Sequence, residues 1–266
     1  MPEFDADITA YYERGDEERR LRGWGRLEFV RTQELLARFL PPAPAVVLDV
    51  GGGPGAYAAW LAGRGYEVHL LDPVPLHVEQ ARGRAGLASV EVGDARALPF
   101  GDASADAVLL LGPLYHLVEA GDRLRALGEA RRVLRPGGLL AAAAITRFAS
   151  TIDGLLKGYL ADPEFEAVVE RALEDGRHVN STGNPGWFTT AYFHLPDELR
   201  REVLEAGFEL SDVLAVEGVG GWLTTVDEWL GDAERRGALL RAIRRVESEP
   251  TLLGSSAHIL AVGAKP

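Results

Sequence analysis

The chain has no cysteine among its 266 residues. Disulfides, thiolate nucleophiles and cysteine-based metal sites are therefore excluded. It also lacks any apolar run near the roughly 18 residues that a membrane-spanning helix needs. The N-terminal stretch MPEFDADITA is acidic and does not have the basic segment followed by an apolar one that is typical of a secretory signal. These absences predict a cytoplasmic location and no membrane partner.

Basic residues are outnumbered, with 28 against 40 acidic ones, which gives a formal net charge of −12. A field of that sign repels a phosphate backbone, so a nucleic-acid partner would need a local basic patch. The densest arginine stretch is RGDEERRLRGWGR (14–26), in which Asp16, Glu17 and Glu18 alternate with the arginines. This pattern indicates an ion-paired, solvated helix face, and we expect no nucleic-acid partner.

The order of apolar runs predicts the fold class. Hydrophobic residues make up 47% of the chain, which is enough for a substantial core. From residue 46 onward, short apolar runs alternate with helical segments, which is typical of a parallel sheet covered by helices on both faces. The fold class is therefore α/β with a doubly wound sheet. The predicted strands are 46–50, 67–72, 89–94, 106–112, 138–146, 208–218 and 257–265.

The segment VVLDVGGGPGAY (46–57) concentrates glycine where a predicted strand turns into a helix. Glycine lets a ligand approach the backbone amides there, because any side chain would hold the ligand away. The next predicted strand ends at Asp72, whose carboxylate falls beside the same turn and can accept hydrogen bonds from both hydroxyls of a ribose. The pattern predicts a nucleotide-bearing cofactor at this edge of the sheet.

Two cofactors fit this turn. Gly51, Gly53 and Ala56 match the dinucleotide-binding fingerprint G-x-G-x-x-G/A, in which Asp72 at the end of the second strand would bind the ribose. The D-x-G-x-G-x-G turn of class I methyltransferases is matched by Asp49, Gly51, Gly53 and Gly55. The glycine motif alone does not separate an NAD-type oxidoreductase from an enzyme that uses S-adenosylmethionine.

The segments after the turn resemble those of class I S-adenosylmethionine-dependent methyltransferases. VEVGDARALPF (90–100) resembles the family segment in which an acid and the amide of its neighbour meet the adenine. DAVLLLGPLYHLVE (106–119) resembles the fourth strand and the loop that passes the reactive methyl group. EARRVLRPGGLLAAAA (129–144) resembles the family's helix, turn and fifth strand. Within the class, the chain looks most similar to the small-molecule enzymes related to ubiquinone and menaquinone biosynthesis.

That resemblance implies a Rossmann-like sheet of seven mostly parallel strands with the last strand antiparallel. It implies S-adenosylmethionine as cofactor, S-adenosylhomocysteine as product and a small-molecule acceptor methylated at an oxygen, nitrogen or carbon atom. An NAD(P)-dependent oxidoreductase and a non-catalytic S-adenosylmethionine-binding protein stay open as alternatives. The chain departs from many members at Asp49, where they have glutamate, and in a longer connection before the last strand.

Four parts follow along the chain. The prolines of PPAP (41–44) end the N-terminal helices. Residues 147–195 break the strand–helix rhythm, and they form either an acceptor-binding lid or a surface excursion packed by its own aromatic residues. The predicted parts are a helical cap (1–45), a cofactor-binding core (46–146), the insertion (147–195) and a C-terminal part of the core (196–266) with inserted helices at 221–250.

Candidate cofactor residues come from the motif positions and from the cap, which the family folds over its cofactor. Asp72 is expected on the ribose and Asp94 with Ala95 at the adenine. Tyr12 and Arg31 are candidates for the methionine carboxylate, although an ordinary amphipathic helix with arginines on its surface explains them equally well. The full predicted set is Tyr12, Arg31, Asp49, Gly51, Gly53, Gly55, Asp72, Pro73, Asp94, Ala95 and Leu111.

Candidate acceptor residues lie after the fourth strand and in the insertion. His116 is a candidate general base, because histidine has a suitable pKa, and its alternative role is to form a pocket wall with Tyr115. The predicted acceptor-binding set is Tyr115, Trp187, Tyr192 and His194. His69 and His77 are interpreted as structural. No metal site is expected, because acids and amides are not grouped near the acceptor region.

Overall fold

The computed structural model describes residues 6–21 and 23–266, so the first five residues of the predicted cap and Arg22 lie outside the described residues. No helix in these ranges is both long enough and apolar enough to cross a membrane. The α-helices are α1 Ala6–Tyr12, α2 Glu17–Arg20, α3 Arg26–Phe39, α4 Ala56–Ala62, α5 Pro75–Arg82, α6 Pro113–His116, α7 Ala120–Val133, α8 Ala149–Lys157, α9 Pro163–Asp175, α10 Pro196–Glu205, α11 Val226–Gly231, α12 Ala233–Arg244 and α13 Pro250–Leu253.

The main sheet has seven strands in the order β3-β2-β1-β4-β5-β9-β8, and β6 and β7 form a separate hairpin. Strand β9 lies between β5 and β8 and is antiparallel to both, while the other pairs are parallel. The predicted α/β fold is therefore confirmed. The strands are β1 Val46–Val50, β2 Glu67–Asp72, β3 Ser89–Val92, β4 Ala105–Leu110, β5 Leu134–Ile145, β6 Arg177–His178, β7 Ala191–Tyr192, β8 Glu209–Ala215 and β9 His258–Ala264.

The limits of five strands, β3, β4, β5, β8 and β9, differ from the predicted ones, and the differences at β5 and β3 affect the pairing and the site. Strand β5 begins at Leu134 rather than at residue 138, because Leu134 pairs with Ala105 before the register shifts. Strand β3 ends at Val92, two residues before the predicted end, and Asp94 forms only an isolated bridge with Ala97. Asp94 is thus released from the sheet at its carboxyl edge.

Both faces of the sheet are covered, which explains the continuous apolar strands. Alternate residues of a strand point to opposite faces. Leu48 and Val50 of β1 belong to one hydrophobic cluster, whereas Val47 belongs to another. The same alternation in β4 assigns Val108 to the first cluster and Leu109 to the second.

The central strands create a crevice at one edge of the sheet. Strand β1 pairs with β2 on one side and with β4 on the other, so the strand order reverses at this point. In open α/β sheets, ligands bind outside the carboxyl ends of the strands at such a switch point. The turn after β1, the ends of β2 and β3 and the loop after β4 meet there.

The cap and the insertion flank this edge. In the cap, the predicted ion pairing is present, since Arg14 pairs with Asp16 and Arg20 pairs with both Glu17 and Glu28. In the insertion, helices α8 and α9 precede the β6–β7 hairpin, and an internal cluster is built from Phe165, Val169 and Trp187 with Tyr159 and Leu160. The aromatic residues of the insertion thus supply part of its own core.

Candidate functional site

A pocket opens at the carboxyl edge of the parallel strands, beside the switch point. It encloses about 640 Å³ of space, counting its open mouth. Its walls come from the turns after β1 and β3, the end of β2, the start of α5, the loop after β4, and helices α1 and α2. Among the predicted site residues, those that line it are Tyr12, Gly51, Gly53, Asp72, Pro73, Asp94, Ala95, Tyr115 and His116.

The glycine turn forms the floor of the pocket. Gly51 and Gly53 have φ angles of +69° and +56°, which side-chain-bearing residues rarely adopt. A Cβ on Gly51 would also lie 2.8 Å from the ring of Pro113, so the two loops approach too closely for any side chain. Gly55 does not line the pocket and instead begins helix α4 with a φ of +78°.

Asp72 ends β2 and is held in place by three donors. Its side chain accepts hydrogen bonds from the backbone N–H of Gly53 at 2.8 Å and of Val74 at 2.9 Å. The Nδ1 atom of His77 lies 3.1 Å from the same carboxylate. Asp72 therefore connects the glycine turn to the start of α5. Only 4% of Asp72 is exposed, although it lines the pocket.

Asp94 lines the pocket and is oriented by Arg96, two residues further along the chain. The Arg96 guanidinium donates to both carboxylate oxygens of Asp94, at distances from 2.6 to 3.2 Å, and also to Asp122. These bonds raise the pKa of Arg96 above its usual range, although burial opposes them. Asp94 and Ala95 are thus fixed at the wall where the sequence places the adenine.

Asp49 lies beneath the turn rather than on the pocket surface. It is fully buried, and neither carboxylate oxygen has a hydrogen-bond partner among residues 6–21 and 23–266. A Cβ on Gly52 would lie 2.8 Å from its carboxyl carbon. Burial, with a smaller contribution from the Asp72 charge, raises the pKa of Asp49 to about 7. The predicted contact of Asp49 with the cofactor is therefore not direct in this arrangement.

Tyr12 joins the cap to the loop after β4. Its hydroxyl lies 2.7 Å from Nε2 of His116, a residue 104 positions away. Nδ1 of His116 is 3.4 Å from the carbonyl oxygen of Thr190, which only accepts, so Nδ1 holds the proton and Nε2 accepts from Tyr12. Burial raises the pKa of both Tyr12 and Tyr115 above the usual range of tyrosine.

The sequence predicts Arg31 as a cofactor-binding residue, but Arg31 does not line the pocket. Its fully buried guanidinium donates to the Val216 carbonyl at 3.0 Å and to Glu247 at 2.7 Å, and it also pairs with Glu34. These contacts tie α3 to the segments that follow β8 and α12. The guanidinium is thus committed to contacts away from the pocket, which Arg31 does not line.

Four other predicted residues also lie outside the pocket lining. Trp187 packs on Phe165 inside the insertion, and the ring of Tyr192 lies under the Arg123 guanidinium at 3.8 Å. His194 is fully buried against Glu202, and burial lowers its pKa. The sequence could not show that the hairpin turns these side chains inward. Leu111, which follows β4, packs against a core cluster.

The insertion approaches the pocket through Phe188 instead. Its ring centre lies 5.4 Å from that of Tyr11, 5.7 Å from that of His116 and 6.4 Å from that of Tyr115. Phe188 has a φ of +63°, a strained conformation for a residue with a side chain. The strain indicates that packing against the cap and the loop after β4 fixes this residue.

Sequence reasoning missed His77 as a pocket residue. His77 lines the pocket and its Nδ1 contacts Asp72, whereas the sequence analysis interprets this residue as structural. The available signal was its position in the first turns of the helix that starts directly after Asp72, since the start of that helix faces the ligand edge of the sheet. Glu17 of α2 lines the pocket as well.

One group in the described ranges has the spacing of a metal site. Ligand atoms of Glu28, Glu217 and His258 lie within 4.8 Å of one another. Glu28 already pairs with Arg20, and Glu217 lies 2.6 Å from Nδ1 of His258. Burial by itself would lower the pKa of His258, but the Glu217 carboxylate raises it to about 9. Because these three side chains already pair with Arg20 or with one another, the group is described as an ion-pair network.

The pocket residues fit a nucleoside cofactor. The turn has no Cβ atoms at Gly51 and Gly53, which leaves backbone surface for the ligand. A buried carboxylate, Asp72, stands at the expected ribose position. Nε2 of His77 is a buried polar atom without a hydrogen-bond partner in the described part of the chain, so the wall has unused bonding capacity.

Several known proteins are similar to this chain in sequence. The model of the methyltransferase domain family matches residues 48–142, from β1 into β5. An uncharacterized methyltransferase of Mycobacterium tuberculosis is 38% identical over 107 residues, which cover 40% of this chain and 42% of that protein. The chain therefore matches about two fifths of the length of that relative.

Two further proteins extend the similarity along the chain. A demethylmenaquinone methyltransferase of Deinococcus radiodurans is 31% identical over 222 residues, covering 79% of this chain and 82% of that protein. A solved S-adenosylmethionine-dependent methyltransferase of Thermotoga maritima matches with a TM-score of 0.61 and 21% identity over 97% of this chain and 100% of its own, which supports the fold alone. Because the Deinococcus relative aligns over most of both chains, this chain belongs to the S-adenosylmethionine-dependent methyltransferase family.

Proposed function

We propose that this chain transfers the methyl group of S-adenosylmethionine to a small-molecule acceptor and releases S-adenosylhomocysteine. The observation that best supports this proposal is the pocket at the switch point. It combines the backbone of Gly51 and Gly53 with the carboxylates of Asp72 and Asp94. In this proposal Asp72 binds the ribose, Asp94 and its neighbour hold the adenine, and the glycine turn lies under the methionine part.

The charge of the pocket lining favours this cofactor over a nicotinamide dinucleotide. Glu17, Asp72 and Asp94 line the pocket, and within the described ranges no lysine or arginine lines it. Arg20 pairs with Glu17 and Arg96 pairs with Asp94, so Asp72 supplies the negative charge that no arginine or lysine compensates. Such a lining attracts a cofactor with a positive sulfur and an ammonium group, and it repels a pyrophosphate. An NAD(P)-dependent oxidoreductase is therefore the weaker candidate.

The proposed acceptor position is the side of the pocket formed by Tyr12, Tyr115 and His116. When bound, S-adenosylmethionine supplies an electrophilic methyl group on its sulfur. Holding the acceptor atom in line with that group can supply much of the acceleration. If the acceptor is a hydroxyl, its proton can pass to the Tyr12 oxygen while Tyr12 gives its own proton to Nε2 of His116, which is 2.7 Å away.

The first acceptor to test is suggested by a relative. The Deinococcus protein is named as a demethylmenaquinone methyltransferase, so we propose demethylmenaquinone, in oxidised and reduced form, as the first pair of acceptors. The rings of Tyr11, Tyr115 and Phe188 offer an aromatic surface next to His116. Oxygen, nitrogen and carbon acceptors all remain compatible with these side chains.

Thermal melting with four ligands in parallel tests the proposal: S-adenosylmethionine, S-adenosylhomocysteine, NAD and NADP. A ligand at about a hundred times its dissociation constant adds roughly 2.7 kcal/mol, which shifts the melting temperature by several degrees. The expected result is a shift with the first two ligands only. A shift with a nicotinamide nucleotide alone would replace the methyltransferase by an oxidoreductase. Binding without any S-adenosylhomocysteine formed from a broad acceptor panel would favour the non-catalytic alternative.

A further inference from the structure

The carboxylate of Asp72 is nearly saturated by the protein itself. A carboxylate offers about four acceptor sites. Three are used, by the backbone N–H groups of Gly53 and Val74 and by Nδ1 of His77. About one site therefore remains, whereas a ribose presents two hydroxyls. The second hydroxyl needs another acceptor in the same wall.

Nε2 of His77 can serve as the hydrogen-bond acceptor for the second hydroxyl. Its Nδ1 faces a carboxylate, which only accepts, so Nδ1 holds the proton. In the neutral imidazole, Nε2 is then an acceptor. Nε2 is buried and has no hydrogen-bond partner among residues 6–21 and 23–266, and His77 is only 3% exposed. A buried polar atom without a partner is costly, and a ligand hydroxyl would satisfy it.

Contacts with Tyr12 and the glycine turn keep His77 next to the proposed ribose position. Tyr12 packs edge-on against the imidazole, with ring centres 5.1 Å apart. A Cβ on Gly53 would lie 3.9 Å from Nδ1 of His77, which places the glycine turn next to the ring. Gly53, Asp72 and His77 therefore form one continuous wall of the pocket.

We propose that His77 is a second ribose-binding residue, with Nε2 accepting one hydroxyl while Asp72 accepts the other. This inference rests on the proposed function, because it assumes a cofactor that contains a ribose. It corrects the expectation that Asp72 alone accepts both hydroxyls. The proposal requires a change at His77 to alter how the protein distinguishes ribose from deoxyribose.

Three substitutions separate this contact from a purely supporting role. His77→Phe keeps a ring against Tyr12 and removes both nitrogens. His77→Asn can keep a donor near Asp72 but has no acceptor at the Nε2 position. His77→Gln can place its amide oxygen near that position. The matched control is His69→Phe, since His69 of β2 contacts Ser89 and Glu67 and does not line the pocket.

The measurement is calorimetric binding of S-adenosylhomocysteine and of its 2′-deoxy and 3′-deoxy derivatives. We expect the wild type to bind one deoxy derivative about tenfold more weakly because of the lost bond to His77. His77→Phe and His77→Asn should bind S-adenosylhomocysteine about tenfold more weakly and lose the discrimination against that derivative. His77→Gln should retain part of the discrimination, and His69→Phe should match the wild type.

Two results would overturn the inference while leaving the proposed function intact. One is wild-type affinity for all three probes in both His77→Phe and His77→Asn. The other is an equal loss for all three probes, which would show that His77 acts only by orienting Asp72. If the wild type binds none of the probes, the proposed function itself fails. Circular dichroism melting of each variant without ligand identifies any that do not fold, and the remaining variants decide the question.

Discussion

Buried polar groups are satisfied to different degrees in two regions of the molecule. Beside the pocket, both oxygens of Asp49 and Nε2 of His77 have no partner in the described part of the chain. In the insertion, Arg147 donates to the Phe193 carbonyl and to Glu198. His178 there bonds with both Ser150 and the carbonyl of Trp187. Two buried polar atoms in the insertion are exceptions without a hydrogen-bond partner in the described residues, namely Nδ1 of His194 and Oγ1 of Thr151.

The difference separates His77, which lines the pocket and has an unpartnered nitrogen, from Arg147 and His178, whose bonds hold the fold. A fully satisfied polar network stabilises one packing arrangement, and it has nothing left to offer a ligand. An unsatisfied buried group costs stability until a ligand provides its partner. The comparison therefore assigns binding to the glycine-turn region and anchoring to the base of the insertion.

The largest expected effect is on the pocket side, at Asp49. Its pKa in the folded protein is about 7, against an ordinary 3.8, so the folded state keeps a proton that the unfolded state loses. The free energy of unfolding therefore falls as the pH rises from about 4 to 7. Asp49→Asn cannot ionise, and at pH 8 it should be more stable than the wild type by at most about 4 kcal/mol.

Urea unfolding of both proteins at pH 4.0, 6.0 and 8.0 measures this effect. The advantage of Asp49→Asn should shrink steadily towards the lowest pH. Asp227→Asn is the control, because the Asp227 side chain is 70% exposed. An equal stability difference at every pH would show that Asp49 is not a penalised buried charge, and the contrast between the two regions would weaken.

The next effect is on the insertion side, at Arg147. Arg147→Ala removes a buried pair with Glu198, whose side chain is only 20% exposed, and also a bond to the Phe193 carbonyl. We expect the free energy of unfolding to fall by about 3 kcal/mol, because one partner of a buried pair is left alone. The affinity of the folded protein for S-adenosylhomocysteine should stay unchanged.

Chemical unfolding and calorimetry together measure both quantities for Arg147→Ala. The control is Arg171→Ala, since Arg171 is 55% exposed and pairs with Asp175 only at 3.8 Å. That variant should lose less than about 1 kcal/mol. A loss of ligand affinity in Arg147→Ala, measured well below its melting temperature, would mean that anchoring and binding are not separate in this molecule.

The smallest expected effect concerns the bond between Tyr12 and His116. Once an acceptor is identified, Tyr12→Phe and His116→Phe should each lower kcat about tenfold, and the double variant should be no slower than either. Affinity for S-adenosylhomocysteine should change less than twofold. Steady-state kinetics with calorimetry checks this, and a large loss of affinity would assign the two residues to the pocket wall instead of proton transfer.

The parts predicted well from the sequence depend on local spacing. The strand–helix alternation is local, and so is the distance from the glycine turn to Asp72. These patterns predicted the sheet and the presence of Gly51, Gly53 and Asp72 at one pocket. Each follows from which residues end a buried strand, and a single sequence shows that directly.

The parts predicted poorly depend on which way a side chain faces after packing. Arg31 was expected at the cofactor, but its helix turns it towards Glu247. Trp187 was expected at the acceptor, but it packs on Phe165, whereas the neighbouring Phe188 faces the pocket side. A shift by one residue along the chain decides which of two neighbouring side chains faces the pocket. Contacts with segments that are distant in the sequence determine that orientation.

The position of β9 has a consequence for how the chain folds as it is synthesised. Residues 258–264 are made late, yet they form an interior strand that pairs with both β5 and β8. Until they arrive, β5 and β8 each present an open edge, and open edges invite pairing with other chains. The glycine turn and β4 are complete much earlier. The residues of the ligand edge are thus synthesised before β5 and β8 receive their shared partner strand.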